Sequence, residues 1–213
     1  MFLIDTVFNS VIVSEEELRS LLGTPSRTVA NKVIHKLDHH CRDFISKSPI
    51  VFLSTADSSG SCDTSPRGDA PGFVHILDEK TFIIPERPGN KRLDSLLNIL
   101  SNPYIGLLFV IPGLEETLRI NGRAKIIRDT EILEKMAAQG KNPILGIAVE
   151  VEECYIHCAK AFKRSKLWDH SGWLAKKDLP KPSKIIADHV NLPDIDSDKI
   201  EAALQESYEK RLY

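Results

Sequence analysis

The sequence predicts a mainly β protein, an antiparallel barrel with helices on the outside. Three observations lead there. About seven short runs of strand-forming residues, mostly in hairpin order and separated by turn residues, lie between Ile50 and Val151. In one of them Leu118, Ile120, Ala124 and Ile126 share a parity, while Thr117, Arg119, Asn121, Arg123 and Lys125 take the other, which is the period of a strand. Helical spacing is confined to the two ends and to short connectors, so the pattern is not that of a βαβ sheet.

In order, Ser14 followed by Glu15, Glu16 and Glu17 has capping-box spacing and starts a helix, with acids where the helix dipole favours them. A turn at Gly23 to Ser26 leads into a longer predicted helix, with Val29, Ala30, Val33, Ile34, Leu37, Cys41, Phe44 and Ile45 on one face. Pro49 closes it. Ile50 to Thr55 and Cys62 to Arg67 read as a hairpin around Asp57-Ser58-Ser59-Gly60. Phe73 to Leu77 and Thr81 to Pro85 are two further strands. A loop at Arg87 to Asn90 then precedes a short helix that starts near Lys91 and carries Leu93, Leu96, Leu97 and Leu100. The strand Tyr104 to Ile111, the strand around Leu118, a helix at Glu131 to Gln139 and an alternating run Leu145 to Val151 follow. The last thirty residues read as a linker with one helix near Lys199 to Arg211. The expected division is a helical segment 1–48 packed on the barrel, the barrel itself at 49–175, and a C-terminal linker and helix at 176–213.

Composition narrows the function classes. Of 213 residues, 42% are apolar and 27% charged, enough for a core without disulfide or metal staples. Lys plus Arg is 28 against 30 Asp plus Glu, a formal net charge of -2, which argues against a general nucleic-acid partner. No apolar stretch reaches the ~20 residues of a membrane span. Met1 to Ser10 has no basic region ahead of its apolar residues, so no signal peptide is expected there and the protein is expected in the cytoplasm. Four scattered cysteines, Cys41, Cys62, Cys154 and Cys158, do not make a disulfide framework. Nucleotide P-loops, Gly-x-Gly-x-x-Gly and Gly-x-Ser-x-Gly are absent from the sequence.

The chemistry-bearing candidates are few. Arg67, Arg87, Lys91 and Arg92 form a cationic set, and Gly89-Asn90 enters a helix, an arrangement that suits a phosphate or is simply a solvated basic loop. Arg67 stands at a strand end inside Ser65-Pro66-Arg67-Gly68-Asp69. The polar strand face Thr117, Arg119, Asn121 and Arg123 lines a cleft or faces water. Cys154, His157 and Cys158 have zinc-ligand chemistry, but no second Cys/His pair stands at finger spacing, so no metal is expected. His35, His39 and His40 fall on the predicted long helix and read as surface residues.

The segments Asp63 to Leu100 (DTSPRGDAPGFVHILDEKTFIIPERPGNKRLDSLLNIL), Asn102 to Ile126 (NPYIGLLFVIPGLEETLRINGRAKI) and Cys154 to Trp168 (CYIHCAKAFKRSKLW) together resemble the pyridoxamine 5′-phosphate oxidase-related family of FMN-binding split barrels, and within it an FMN-dependent branch. The resemblance spans roughly Ile50 to Trp173. It implies a six-stranded antiparallel split β-barrel, a homodimer, and one FMN in each of two clefts between subunits. It also implies that Ser65 and Arg67 meet the flavin and its phosphate. Asn90 and Lys91 match an Arg-Lys phosphate pair, with Asn in place of Arg, and Thr117 matches a glutamine that hydrogen-bonds the flavin. The stretch Arg164 to Trp168 resembles a late cofactor-contacting segment. True pyridoxamine phosphate oxidases carry a C-terminal Arg-x-His substrate motif. This chain has none and reads Glu209-Lys210-Arg211-Leu212-Tyr213, which leaves the substrate unassigned. The implied function is an FMN-dependent oxidoreductase acting on a small molecule by hydride transfer through flavin N5. The alternative is a dimeric carrier or sensor of flavin, haem or deazaflavin.

Overall fold

The computed structural model describes residues 7–213, so the reading of Met1 to Ser10 lies partly outside the described residues. The chain forms two compact units, Met1–Val33 and Ile34–Tyr213. In the first, α1 (Glu15–Leu22) has the expected cap: the Ser14 hydroxyl accepts the Glu17 N–H, and Glu15 pairs with Arg19 one turn on. A short α2 (Arg27–Ala30) is capped by Ser26.

The predicted long helix through Val29 and Ile45 is not continuous. Helix α2 ends at Ala30, and α3 begins only at His39, running to Lys47. Between them the main chain is claimed by strands. Ile34 exchanges both its N–H and its carbonyl with Cys154, and the Leu37 N–H donates to the Glu79 carbonyl. A residue paired in this way cannot also continue a helical ladder, so the helical spacing of the apolar side chains is overridden. Asp38 then restarts the helix by accepting the Cys41 N–H. His35 is therefore not on a helix with His39 and His40.

The second unit is built on one antiparallel sheet of β1 (Ile50–Ala56), β2 (Cys62–Gly68), β3 (His75–Ile76), β4 (Thr81–Glu86), β5 (Tyr104–Val110), β6 (Thr117–Ile127) and β7 (Leu145–His157), in the order β2-β1-β5-β6-β7-β4-β3. The implied six strands are thus seven in an unclosed sheet. The seventh, β3, is only a two-residue edge. It is shorter than the predicted Phe73 to Leu77 because Phe73 is drawn into a turn with Ala70, and Leu77 and Asp78 into the turn that accepts at Thr81.

Val51, Leu53, Phe82, Ile84, Leu107, Phe109, Leu118, Ile120, Ile147 and Val149 point inward, and α3 adds Cys41, Phe44 and Ile45 to the same core. Helix α4 (Asp94–Ser101) adds Leu96 and Ile99. A smaller cluster of Ile83, Leu133 and Met136 lies on the other face of β4. There the predicted helix Glu131 to Gln139 is the shorter α5 (Thr130–Glu134).

Strand β7 runs six residues beyond the predicted Val151 because of a bulge. Asn121 pairs with Glu153 but Gly122 with Val151, leaving Glu152 as an extra residue. The Glu152 carbonyl accepts from His35 Nδ1, and its carboxylate pairs with Arg123. Gly122 opposite is obligatory, since a Cβ there would lie 2.0 Å from the Glu150 carbonyl oxygen. The C-terminal part holds α6 (Lys160–Ser165), two 3₁₀ turns, α7 (Pro182–Val190) and α8 (Ser197–Lys210), so the predicted single helix is two. Pro182 at the first turn and Asp196 as a cap mark their starts. Among the described residues no helix is long and apolar enough to cross a membrane.

Candidate functional site

The place where the sheet fails to close is also where its inner face becomes polar. On β2, Asp63, Ser65 and Arg67 pair across from Thr55, Leu53 and Val51, all buried residues, so the three polar side chains face inward. On β4, Glu86 shares the parity of Phe82 and Ile84 and also faces inward. Strands β2 and β4 are not ladder partners, yet Arg67 Nε donates to Glu86 Oε2 at 2.8 Å, with the two side chains only 15% and 21% exposed. Just beyond, Arg87 Nε donates to Asp69 Oδ2 at 2.7 Å. Two arginine–carboxylate pairs thus bridge a seam that hydrogen-bonded strands leave open.

A cavity of about 1180 Å³ opens along this seam, walled by β2, the end of β4, the loop from Arg87 to Leu93, the start of α4, residues 141–145, and Leu212 with Tyr213. One wall is a chain of polar groups. Arg67 Nη1 donates to Ser65 Oγ at 2.9 Å, Ser65 Oγ shares a hydrogen with the buried Ser95 Oγ at 2.8 Å, and Ser95 reaches Asp63 Oδ2. The lining also carries apolar side chains, those of Pro85, Leu93, Pro143, Ile144 and Leu212. Tyr213 closes another side: its hydroxyl donates to Asp69 Oδ1 at 2.7 Å, its ring lies 5.8 Å from the Arg87 guanidinium, and its main-chain oxygen accepts from Lys141 Nζ. Burial pushes the Asp69 carboxyl up, but the Tyr213 hydroxyl, the Ala70 N–H and Arg87 outweigh it and hold it below the ordinary carboxylate value. The same bond to Asp69 raises the Tyr213 phenol.

The predicted site residues divide into two groups. Ser65, Arg67, Asn90 and Lys91 all line the cavity. Thr117, Arg164 and Trp168 do not. Thr117 is 2% exposed at the start of β6, Arg164 is exposed in the last turn of α6, and Trp168 stacks on Phe162 while its indole N–H donates to the Leu114 carbonyl. The polar face of β6 is spent on cross-strand partners: Arg119 lies over Tyr155, Asn121 donates to Glu153, and Arg123 pairs with Glu152.

The loop expected to hold a phosphate also differs from the expectation. Helix α4 begins at Asp94 rather than near Lys91, because the Asn90 side chain accepts the Arg92 N–H and Lys91 and Leu93 both take left-handed backbone angles. Leu93 occupies the N-cap and offers no side-chain acceptor, so the first N–H groups of α4 are uncapped by any side chain. Lys91 has no ion-pair partner among the described residues. Glu86, Asp69, Ser95 and Tyr213 were not singled out from the sequence. Glu86 directly follows a buried run, which is a usable signal, whereas Tyr213 meets Asp69 across 144 positions and left none. No group of three or more metal-ligating side chains is present among the described residues.

A family model described as pyridoxamine 5′-phosphate oxidase matches residues 37–158, from the segment before α3 to the end of β7. The chain belongs to this family. That span contains β2, β4, the loop and α4, and so most of the cavity; Tyr213 lies outside it. Similar solved structures include HupZ from Group A Streptococcus, at 25% identity over 56% of this chain and 93% of that chain with a TM-score of 0.45. General Stress Protein 26 from Bacillus anthracis is 12% identical over 54% and 88%, with a TM-score of 0.40. An FMN-binding protein from Syntrophomonas wolfei is 10% identical over 55% and 88%, with a TM-score of 0.41. No match is found among curated proteins.

Proposed function

We propose that this member of the pyridoxamine 5′-phosphate oxidase family binds FMN in the seam cavity and is an FMN-dependent oxidoreductase acting on a small molecule. The observation that carries the reading is the donor set on the cavity wall: Lys91, without an ion-pair partner among the described residues, Arg67, and the start of α4, which no side chain caps, together with apolar Pro85, Leu93 and Ile144. The donor set fits the cofactor. Lys91 supplies a point charge to a phosphate, the N–H groups of α4 supply hydrogen bonds, and among the described residues Arg67 Nη2 is left without a partner while Nε and Nη1 are engaged. Pro85, Leu93 and Ile144 offer the surface a flat ring system needs. Bound FMN would supply a two-electron carrier that takes or gives hydride at N5. Within the chain, Ser65 and Ser95 relay the orientation of Arg67 to Asp63, and Tyr213 restricts water at the side it closes.

Thr117, 2% exposed, is left out of the proposal, while Arg164 and Trp168 belong to it through a second copy. In a homodimer with the cofactor between subunits, these residues of the partner would complete the site that one chain leaves open. Light scattering decides this part, since a monomer mass at micromolar concentration contradicts it.

Titration of the purified protein with FMN, followed by the absorbance spectrum after removal of free ligand, tests the main reading. One oxidised flavin per chain supports it, and a colourless protein contradicts it. A carrier or sensor is favoured instead by one observation: Glu86, Asp69 and Asp63 are each engaged by an arginine or a hydroxyl, so none is free to move a substrate proton. A reductant screen separates the two, because a carrier holds flavin that no small-molecule donor bleaches in turnover.

A further inference from the structure

The core contains a pair of thiols that the cavity does not use. Cys41, in the first turn of α3, and Cys154, in β7, place their sulfurs 3.1 Å apart, with Cys41 6% exposed and Cys154 0%. The contact is built rather than incidental. Up to Val151 the odd-numbered residues of β7 face the core, and the Glu152 bulge reverses that parity so that Cys154 points inward. The Cys154 main chain holds Ile34 through two hydrogen bonds, while Asp38 caps the helix that brings Cys41 over it. Segment 34–47 is thus a strap that meets β7 twice at one residue, through the Ile34 main chain and the Cys41 side chain.

We infer that Cys41 and Cys154 are an oxidisable pair, which a peroxide converts into a disulfide that locks the strap onto β7. Cys41 is the sulfur that attacks the peroxide, as the more exposed of the two, and the Cys154 S–H donating to it favours its thiolate, while that contact and burial keep Cys154 protonated. Its sulfur forms an S–O bond as the peroxide O–O bond breaks, giving a sulfenic acid and water. The Cys154 sulfur then displaces the hydroxyl, the S–S bond forms, and its proton leaves with that hydroxyl as a second water. The two thiols lose two electrons and two protons in all, and hydrogen peroxide takes both. The sulfurs need to close only about 1 Å to reach the roughly 2.05 Å of a disulfide. This inference rests on no part of the flavin reading.

The full chain carrying Cys62→Ser and Cys158→Ser, which removes the two exposed thiols, is reduced, freed of reductant, treated with hydrogen peroxide and then alkylated in denaturant. The expected product is lighter than the reduced chain by two hydrogens, takes up no alkylating agent and yields one linked peptide joining residues 41 and 154. Its melting temperature rises by about 5 °C or more and returns on addition of dithiothreitol. Full alkylation of both thiols after treatment, or oxygen added without a linked peptide, overturns the inference. The same peptide mapping on the unsubstituted chain gives the answer independently of how the double variant folds.

Discussion

In the β6–β7 ribbon the strands are joined main chain to main chain from Thr117 to Ile127, and even the bulge at Glu152 is tied down by His35 and Arg123. Along the β2–β4 seam the same sheet is bridged by side chains instead, through Arg67 with Glu86 and Arg87 with Asp69. Backbone pairing leaves no room for a ligand. Side-chain bridges do, because a guanidinium can turn one face to a carboxylate and another to an anion. The ribbon is therefore the more constrained region, and the seam is the one with room for a ligand.

The comparison breaks most sharply at Gly122. Gly122→Ala places a methyl against the Glu150 carbonyl, and the expected loss is about 3 kcal/mol or more, read as a lowered urea midpoint with an unchanged slope. A midpoint within error of the parent removes the claim that the bulge is rigid. At the seam, Arg67→Ala leaves Glu86 unpaired in a partly buried position. It is expected to cost about 2 kcal/mol, between exposed and buried pairs, and also to weaken FMN binding. Lys91→Ala separates those two effects. Its side chain is exposed and without an ion-pair partner among the described residues, so FMN affinity is expected to fall about tenfold while the urea midpoint stays put.

How much of this was readable beforehand follows the same division. Strand β6 was legible because from Leu118 to Lys125 its burial follows parity, Thr117 at its start being the one polar residue that is buried. That Arg67 and Lys91 line one cavity was legible because an arginine at a strand end and a lysine after Gly-Asn are local patterns. The break between α2 and α3 was not, since the spacing of Val29, Val33, Leu37 and Cys41 suits a helix and only the distant Cys154 main chain rules it out. The bulge was hidden for the same reason: Val151 and Cys154 both read as buried strand residues, and nothing local shows that an extra residue separates their registers. Tyr213 came to the cavity through tertiary packing alone.

The smallest expected effect concerns that residue. Asp69 titrates below the ordinary 3.8, so its contacts contribute stability that is present above pH 3.8 and is lost as pH falls through the lowered value. Tyr213→Phe removes one of those contacts. It is expected to lower the melting temperature slightly at pH 7, and the difference from the parent is expected to vanish on acidification through that range. A difference that persists unchanged in acid assigns the Tyr213 contribution to its ring rather than to its hydroxyl.

The central claim is that the open seam is a flavin phosphate site. Its most direct test is an FMN titration by calorimetry of the parent protein, Lys91→Ala and Arg67→Ala under one buffer and salt condition. The account predicts one FMN per chain for the parent and about tenfold or greater weakening in each variant, with riboflavin, which lacks the phosphate, binding all three proteins alike. Equal FMN affinity in all three proteins would contradict it and place any flavin elsewhere on the barrel.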